Sequence, residues 1–274
     1  MYVAADVGAS KTLIGVFNAQ GQILKRRKFN TPRIYSDWLA KFTAAVRTAQ
    51  GPGSVRALGV GIPCSLDPED KHIVGCGNLA WQGEHPAKDL EKALKVPIYI
   101  ANDAVCGGLA EATMGAGKDF KRLFYITIST GVGTALIVNK HPSRDVPNSE
   151  GGQIIVDRNK SGFLRLEDLI SGPAIIERFG KPAYDIDDLN IWKQLAVDMA
   201  IGIYNMVTLT FPDGVVIGGG VAVHFEIFKK HLIDAINQLD SKIYALPPIV
   251  KASQVEEAAL YGAFLIAKTP SHDS

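Results

Sequence analysis

Residues 2–17, with the sequence YVAADVGASKTLIGVF, contain two apolar runs separated by a short turn. The first run, Tyr2 to Ala5, is followed by Asp6-Val-Gly-Ala-Ser10, and the second, Thr12 to Phe17, is rich in β-branched residues. Two such runs around a glycine-containing turn predict an antiparallel hairpin. Because a dinucleotide-binding unit opens with a strand, a glycine-rich turn and a helix, this start argues against a plain Rossmann fold.

The same layout returns at residues 123–138. A strand predicted for Leu123 to Ser129 is followed by the turn Thr130-Gly-Val-Gly133 and by a further strand from Thr134 to Val138. The repetition of strand, glycine-bearing turn and strand indicates an internal duplication. Since strands alternate with helical patterns elsewhere, we predict an α/β fold with two similar halves.

Apolar spacing predicts the remaining elements. Strands are expected at residues 23–29, 57–62, 97–101, 153–156, 214–217 and near 249. Helices are expected after an N-cap at Ser36 and at residues 104–114, 189–209, 225–239 and 255–267.

Composition limits the classes of protein and partner. The 274 residues suit two domains, and 47% hydrophobic with 21% charged residues excludes disordered, collagen-like and coiled-coil classes. With 29 basic against 28 acidic side chains, the net charge of +1 gives no electrostatic basis for binding nucleic acid or an anionic membrane. The longest charge-free apolar stretch, residues 199–211, is shorter than the about 20 residues of a spanning helix. We therefore expect a cytoplasmic protein with a small-molecule ligand.

The cysteines are few and odd in number. Cys64, Cys76 and Cys106 predict no disulfide framework and favour a reducing compartment. A metal site made of Cys64, His72 and Cys76 matches no zinc spacing and lacks a fourth ligand. Small buried thiols are the preferred interpretation.

Three glycine-bearing turns are candidates for nucleotide binding. Residues 6–12 place a carboxylate at a strand end before small and hydroxyl-bearing residues, and residues 129–134 repeat that chemistry. Residues 218–220, three glycines, join a strand to a helix, where bare backbone can accept a phosphate or a flat ring. Each turn alone is more typical of a hairpin or of tight packing, and none is a Walker loop.

In this order, with Asn102-Asp103 between the first two, these turns resemble the motifs of the ROK (repressor, open reading frame, kinase) family. That family lies in the actin, sugar kinase and Hsp70 superfamily. Residues 115–117, GAG, and 257–263, EAALYGA, also resemble family motifs, so the resemblance covers essentially the whole chain. It implies a two-lobed actin-like ATPase fold with duplicated βββαβα-type, ribonuclease H-like domains. We assign residues 1–103 with 255–274 to the N-terminal lobe and residues 104–254 to the C-terminal lobe.

The resemblance implies ATP and Mg²⁺ as cofactors. Asp103 would be the catalytic base that takes the proton from the sugar 6-hydroxyl as it attacks the γ-phosphate. Asp6 would position Mg²⁺ through water. The residues expected to face the nucleotide are Asp6, Gly8, Ser10, Lys11, Thr12, Thr130, Gly131, Gly133, Gly218, Gly219 and Gly220.

The resemblance also implies a sugar pocket. The residues expected to contact the sugar are Asn78, Asn102, Asp103, Glu150, Gln153 and Glu167. Two carboxylates suit a polyhydroxyl ligand because its hydroxyl donors need acceptors. Trp81 would form an apolar wall of the pocket.

The chain departs from the family's pattern at the zinc site. Gln153 stands where a histidine commonly contacts both the sugar and a structural zinc, and residues 159–164 lack the cysteines that complete that site. We therefore expect no structural zinc. Gln153 can still donate a hydrogen bond to a sugar hydroxyl. Ala9 and Ser10 replace a usual Gly and Thr, and Ser10 keeps the hydroxyl.

The leading hypothesis is an ATP-dependent hexokinase that phosphorylates glucose at the 6-hydroxyl. Alternatives are a kinase for mannose, fructose or an N-acylhexosamine, polyphosphate as the donor, and a non-catalytic sugar sensor. The family's repressors carry a DNA-binding helix-turn-helix, for which we expect no room ahead of Asp6. The resemblance implies a homodimer, and neither nucleic acid nor a membrane is expected as a partner.

Overall fold

The computed structural model describes residues 1–51, 53–77, 79–147, 149–159, 162–239, 245–253 and 257–269. The strands are β1 (Tyr2–Val7), β2 (Lys11–Phe17), β3 (Ile23–Asn30), β4 (Leu58–Ile62), β5 (Ser65–Leu66), β6 (Ile73–Gly75), β7 (Ile98–Asn102), β8 (Arg122–Ile128), β9 (Val132–Val138), β10 (His141–Pro142), β11 (Ile155–Asn159), β12 (Gly162–Arg165), β13 (Gly214–Gly218) and β14 (Ile249–Lys251). The α-helices are α1 (Tyr35–Gln50), α2 (Pro86–Leu94), α3 (Asp103–Met114), α4 (Glu167–Ile170), α5 (Gly172–Phe179), α6 (Leu189–Thr210), α7 (Phe225–Leu239) and α8 (Ala258–Lys268). Short 3-10 helices cover Gly151–Gln153, Ala183–Asp185 and Gly220–His224.

The chain divides into two compact units. The first consists of Met1–Ala110 with Glu257–Ser274, and the second of Glu111–Glu256. The lobe boundaries after residues 103 and 254 stay predictions.

The first unit is built on a five-stranded sheet in the order β3-β2-β1-β4-β7. Strands β1, β4 and β7 are parallel, while β2 and β3 pair antiparallel. Because side chains alternate between the faces of a strand, Val3 and Ala5 join the core formed with α1, whereas Ala4 joins the core formed with α8. The sheet is therefore covered on both faces.

The second unit repeats this arrangement. Its five-stranded sheet has the order β10-β9-β8-β13-β14, with β8, β13 and β14 parallel and β9 antiparallel to β8. Both sheets therefore place their strands in the order third, second, first, fourth, fifth. This shared order confirms the prediction of two similar halves.

Several predicted elements lie close to the observed ones, and others differ. Helix α7 has the predicted bounds, and α6 ends one residue later than expected. The N-cap prediction at Ser36 is wrong, since α1 already begins at Tyr35, whose buried ring donates a hydrogen bond from its hydroxyl to Asp89. The strand predicted from Gln153 is also wrong at its start, because the Gln153 amide bonds back to the Glu150 carbonyl in a 3-10 turn.

The helices of the described part of the chain include none with the length and apolar character that crossing a membrane requires.

A close approach of α8 to α3 generates a stability prediction. A Cβ on Gly262 would lie 1.8 Å from the carbonyl oxygen of Cys106, a backbone atom. We expect Gly262→Ala to lower the free energy of unfolding by about 2 kcal/mol, because this overlap outweighs the better helix propensity of alanine. Gly75→Ala is the matched control, since a Cβ there meets nothing within 4 Å. Urea denaturation that ranks the two variants equally would contradict this packing.

Candidate active site

The carboxyl ends of the parallel strands in the first unit bring two predicted acidic groups to one edge of the sheet. Asp6 of β1 is in register with Gly61 of β4, and Ile62 of β4 is in register with Asn102, the last residue of β7. Asp103 then begins α3. Parallel pairing thus places Asp6 and the Asn102-Asp103 turn at the same sheet edge.

The Asn102-Asp103 turn is held by hydrogen bonds at its start. The Oδ1 atoms of Asn102 and Asp103 each accept a bond from the Ala104 amide at 2.8 Å. The Asn102 amide group donates to the Cys64 carbonyl at 3.2 Å. These bonds fix the backbone at the first turn of α3, where the half-buried carboxylate of Asp103 lies.

A buried thiol lies near both carboxylates. Cys106, one turn into α3, is fully buried. Burial raises the pKa of this thiol most, and the negative charges of Asp103 and then Asp6 raise it further. Asp6 and Asp103 therefore both lie close enough to act on one sulfur atom.

The Asp6 carboxyl has a raised pKa. Burial raises the pKa of its carboxyl to about 6, and the opposing charge of Lys28 limits the rise. Lys28 lies in the same row of the sheet, because Leu13 pairs with Asp6 on one side and with Lys28 on the other. No hydrogen bond or ion pair to the Asp6 carboxylate occurs among the described residues. A hydrated Mg²⁺ would supply the donors and the positive charge that this carboxylate lacks, so the residues present fit the ion.

The first glycine-bearing turn is a tight hairpin closed by a bond from the Gly8 amide to the Lys11 carbonyl at 2.8 Å. Ser10 and Lys11 are exposed. Thr12 is fully buried, and its hydroxyl bonds to that of Thr31 at 2.9 Å. The Thr12 side chain therefore supports the turn from behind and is not exposed on it.

Thr31 is a residue that the sequence pattern missed. Its hydroxyl donates to the Gly8 carbonyl at 2.8 Å, and its amide donates to the Ser10 carbonyl at 3.0 Å. It fixes the turn from a neighbouring loop, and a lone threonine 23 residues after Gly8 gives no signal of that role.

The expected sugar loop is only partly described. Asn78 lies outside the described residues. Trp81 is fully buried, 4.7 Å from the Trp38 ring centroid, and its indole N–H donates to the Arg33 carbonyl. The expectation that Trp81 forms a wall of the pocket is wrong, because its ring is used in the core against α1.

Cys64 and Cys76 form a disulfide. The expectation of free buried thiols is therefore wrong for this pair, and it is right for Cys106, which is free and buried. The bond joins the residue whose carbonyl receives the Asn102 amide to the residue two before Asn78. Because a disulfide leaves no thiolate to bind a metal, it also argues against a metal site made of Cys64, His72 and Cys76.

In the second unit, the other two glycine-bearing turns meet at the ends of neighbouring parallel strands. Gly218 of β13 is in register with Thr127 of β8. Gly219 has φ +81°, and a Cβ there would lie 2.4 Å from the Ile128 carbonyl oxygen, so only glycine fits. A Cβ on Gly220 would meet nothing within 4 Å, which leaves open space beside the backbone.

Glu167 lies against the second glycine-bearing turn. Its Oε2 accepts a bond from the Val132 amide at 2.7 Å, and its Oε1 accepts one from the Gln153 side chain at 3.4 Å. The turn itself carries Thr130, which is exposed, with Gly131 and Gly133 partly exposed. Two of the expected sugar residues, Gln153 and Glu167, are thus brought together.

Glu150 lies at the start of the same loop. It is exposed and immediately precedes the 3-10 helix Gly151–Gln153. The Gly151 amide donates to the Thr134 hydroxyl at 2.9 Å, which joins this loop to β9.

A second residue that the pattern missed is Glu111. It is fully buried, and its carboxylate accepts bonds from the amides of Ala116 at 2.8 Å and Ser253 at 3.0 Å. A single acidic residue within the small and apolar residues of α3 was the available signal. Glu111 holds the GAG turn of residues 115–117 in place.

Comparison with known proteins gives a consistent class. The ROK family profile matches residues 2–270. A ROK hexokinase from Thermus thermophilus is 27% identical, with a TM-score of 0.79 and coverage of 97% of each chain. A ROK family glucokinase from Streptomyces griseus, in complex with glucose and AMPPNP, is 21% identical with a TM-score of 0.84, covering 97% of this chain and 99% of that one. An N-acetyl-D-glucosamine kinase from Erwinia tasmaniensis is 26% identical, covering 96% of this chain and 98% of the relative. The predicted actin-like fold class is confirmed.

The raised pKa of Asp6 generates a prediction with a defined pH dependence. Because the folded-state pKa lies near 6 and the unfolded value near 3.8, ionisation of Asp6 costs stability as the pH rises from 4 through 6. Asp6→Asn should therefore raise the free energy of unfolding by about 2 kcal/mol at pH 8, and the gain should shrink as the pH falls toward 4. Urea titrations across this range measure it, with the exposed Asp37→Asn as the control for loss of a carboxylate. A gain that is the same at every pH would contradict this environment for Asp6.

The disulfide generates a prediction about accessible thiols. Only a free thiolate reacts with an alkylating reagent, so the denatured, unreduced protein should take up one label, on Cys106. After reduction it should take up three, one for each cysteine. Cys106→Ser should lose the first label and keep the other two, as read by mass spectrometry. Three labels before reduction would contradict the bond.

Proposed function

The chain belongs to the ROK family, and from that membership we propose that it is an ATP- and Mg²⁺-dependent kinase that phosphorylates the 6-hydroxyl of a hexose, with glucose as the leading substrate. The observation that carries the proposal is the Asn102-Asp103 turn. It presents a carboxylate at the end of a parallel strand, at the same sheet edge as Asp6 and the first glycine-bearing turn.

The proposed reaction is an in-line transfer. Asp103 accepts the proton of the sugar 6-hydroxyl as that oxygen attacks the γ-phosphorus, and the bond to the leaving ADP oxygen breaks. Asp103 is suited to this role because its backbone is fixed by the cap of α3 while its side chain stays half-exposed. Asn102 holds the strand end through Cys64 and orients the neighbouring hydroxyl.

The donor is held by the glycine-bearing turns. When bound, Mg·ATP supplies the phosphoryl group and the countercharge for its transfer. Ser10 and Lys11 are exposed on the first turn, Thr130 is exposed on the second, and Gly220 leaves room for the nucleoside. Asp6 would position the Mg²⁺ ion through water with its carboxylate. Each of these assignments is made from groups within one unit.

The residues proposed to contact the sugar are those that the family's motifs imply, namely Asn78, Asn102, Asp103, Glu150, Gln153 and Glu167. The relatives support a sugar as substrate, since they include a hexokinase and an N-acetyl-D-glucosamine kinase. The family's pattern also leads us to propose a homodimer. The departure from that pattern at Gln153 and residues 159–164 leads us to propose that the protein holds no structural zinc.

The function is tested by coupled ADP release with Mg·ATP against glucose, mannose, fructose and N-acetylhexosamines. Polyphosphate is run as a parallel donor, with sugar phosphate as the product measured. Turnover with glucose above all other sugars supports the proposal, and preference for another sugar or for polyphosphate replaces that part of it. Folded protein that binds a sugar but transfers no phosphoryl group with either donor would make it a sensor.

Asp103→Asn tests the base directly. We expect the turnover number to fall by about 10² to 10⁴ with little change in sugar affinity, because the amide cannot accept the proton while it keeps the shape of the side chain. Asp37→Asn, exposed on the first turn of α1, is the matched control and should keep wild-type turnover. Measuring rate and sugar binding separately decides the matter, and full activity in Asp103→Asn would refute the role.

A further inference from the structure

Residues 166–172 contact the second glycine-bearing turn at both of its ends. The Glu167 carboxylate accepts the Val132 amide at 2.7 Å, and the Gly172 amide donates to the Ser129 carbonyl at 2.7 Å. Within the turn, the Ser129 amide bonds to the Gly131 carbonyl at 2.9 Å. This segment therefore fixes the Val132 amide and the Ser129 carbonyl of the turn.

The same carboxylate also contacts the sugar side. Its second oxygen accepts the Gln153 side-chain amide at 3.4 Å, and the loop that carries Gln153 is joined to β9 through Thr134. Glu167 is only partly buried, so a ligand hydroxyl can reach it. One side chain thus touches both the loop expected to hold phosphate and a residue expected to hold sugar.

The turn is shaped to receive this carboxylate. A Cβ on Gly131 would lie 2.8 Å from Glu167 Oε2, so any other residue there would displace it. A Cβ on Gly152 would lie 2.3 Å from the Val132 carbonyl oxygen, which brings the sugar-side loop equally close to the turn. Because Gly131 and Gly152 carry no side chains, Glu167 and the sugar-side loop can both approach the turn this closely.

From this geometry we propose that Glu167 is a positioning residue that couples the two substrates, so that a bound sugar strengthens binding of the phosphoryl donor. The proposal rests on the proposed function and adds a coupling that a sugar contact alone does not require. The negative charge of Glu167 beside the turn repels donor phosphate. A sugar hydroxyl that donates to Glu167 offsets part of that charge and holds the side chain on Val132, which keeps the turn in place.

Calorimetry of Mg·AMPPNP binding tests the coupling. We expect saturating D-glucose or N-acetyl-D-glucosamine, whichever binds, to tighten donor binding about 5-fold or more, and donor to tighten sugar binding by the same factor. In Glu167→Gln the ratio of donor affinities with and without sugar should be close to one, because the glutamine side chain carries no charge and has a single acceptor oxygen. The matched control is the neighbouring Asp168→Asn, which should keep the ratio. The Asp168 carboxylate is exposed and accepts the Arg165 amide, three residues away, at 2.9 Å.

A second measurement serves if Glu167→Gln no longer binds sugar. Hydrogen exchange of the Val132 amide, followed by NMR without ligands, should be about 10-fold faster in Glu167→Ala than in the wild type or in Asp168→Asn, since the bond from that amide is lost. Unchanged exchange would overturn the positioning role.

The outcomes separate the two levels of the proposal. If the wild-type protein binds both ligands and its affinity for the donor is the same with and without sugar, the coupling is overturned and the kinase function still stands. Coupling that persists in Glu167→Gln overturns the role of Glu167. Wild-type protein that binds neither ligand overturns the proposed function together with the coupling.

Discussion

The parallel pairing of β1, β4 and β7 is the constraint on which the candidate site of the first unit depends. The register Asp6 to Gly61 and Ile62 to Asn102 places groups that are about a hundred residues apart in the chain at one sheet edge. Parallel strands require crossover connections, and α1 and α2 provide them while covering one face of the sheet. A slip by one residue would turn Asp6 into the apolar core of α1, so the packing of Val3 and Ala5 also fixes the carboxylate.

The second unit uses the same strand order for a different purpose. Its strand ends carry glycine-bearing turns instead of an acidic pair, and hydrogen bonds from a neighbouring segment hold the turn of residues 129–134. A backbone amide donates a strong hydrogen bond only when its N–H points at the acceptor, because the bond weakens steeply as the N–H···O angle becomes smaller. Glu167 and Gly172 supply that fixation. In the second unit, therefore, a carboxylate serves to hold a glycine-bearing turn, whereas Asp6 and Asp103 of the first unit lie at the ends of strands.

The sequence was sufficient where periodicity and spacing determine structure, as in α6 and α7 and in the duplicated hairpins. It was insufficient where tertiary contacts override local signals. The start of α1 is set by burial of Tyr35 and not by a cap at Ser36, and Thr12 faces Thr31 across a neighbouring loop. The family's motifs located Gln153 and Glu167, but their contact with each other depends on two loops whose approach has no sequence period. For the same reason the pairing of Cys64 with Cys76 was not expected from the count of cysteines.

Two carboxylates show how hydrogen bonding decides the cost of a charge in this fold. Glu111 is fully buried and accepts two backbone amides, so its removal would leave those amides without acceptors. Asp6 is partly buried and has no such donors among the described residues, and burial raises its pKa to about 6. The ionised carboxylate of Asp6 therefore costs stability, and a cation bound beside it would reduce that cost. This is the physical ground for the role that we propose for Asp6.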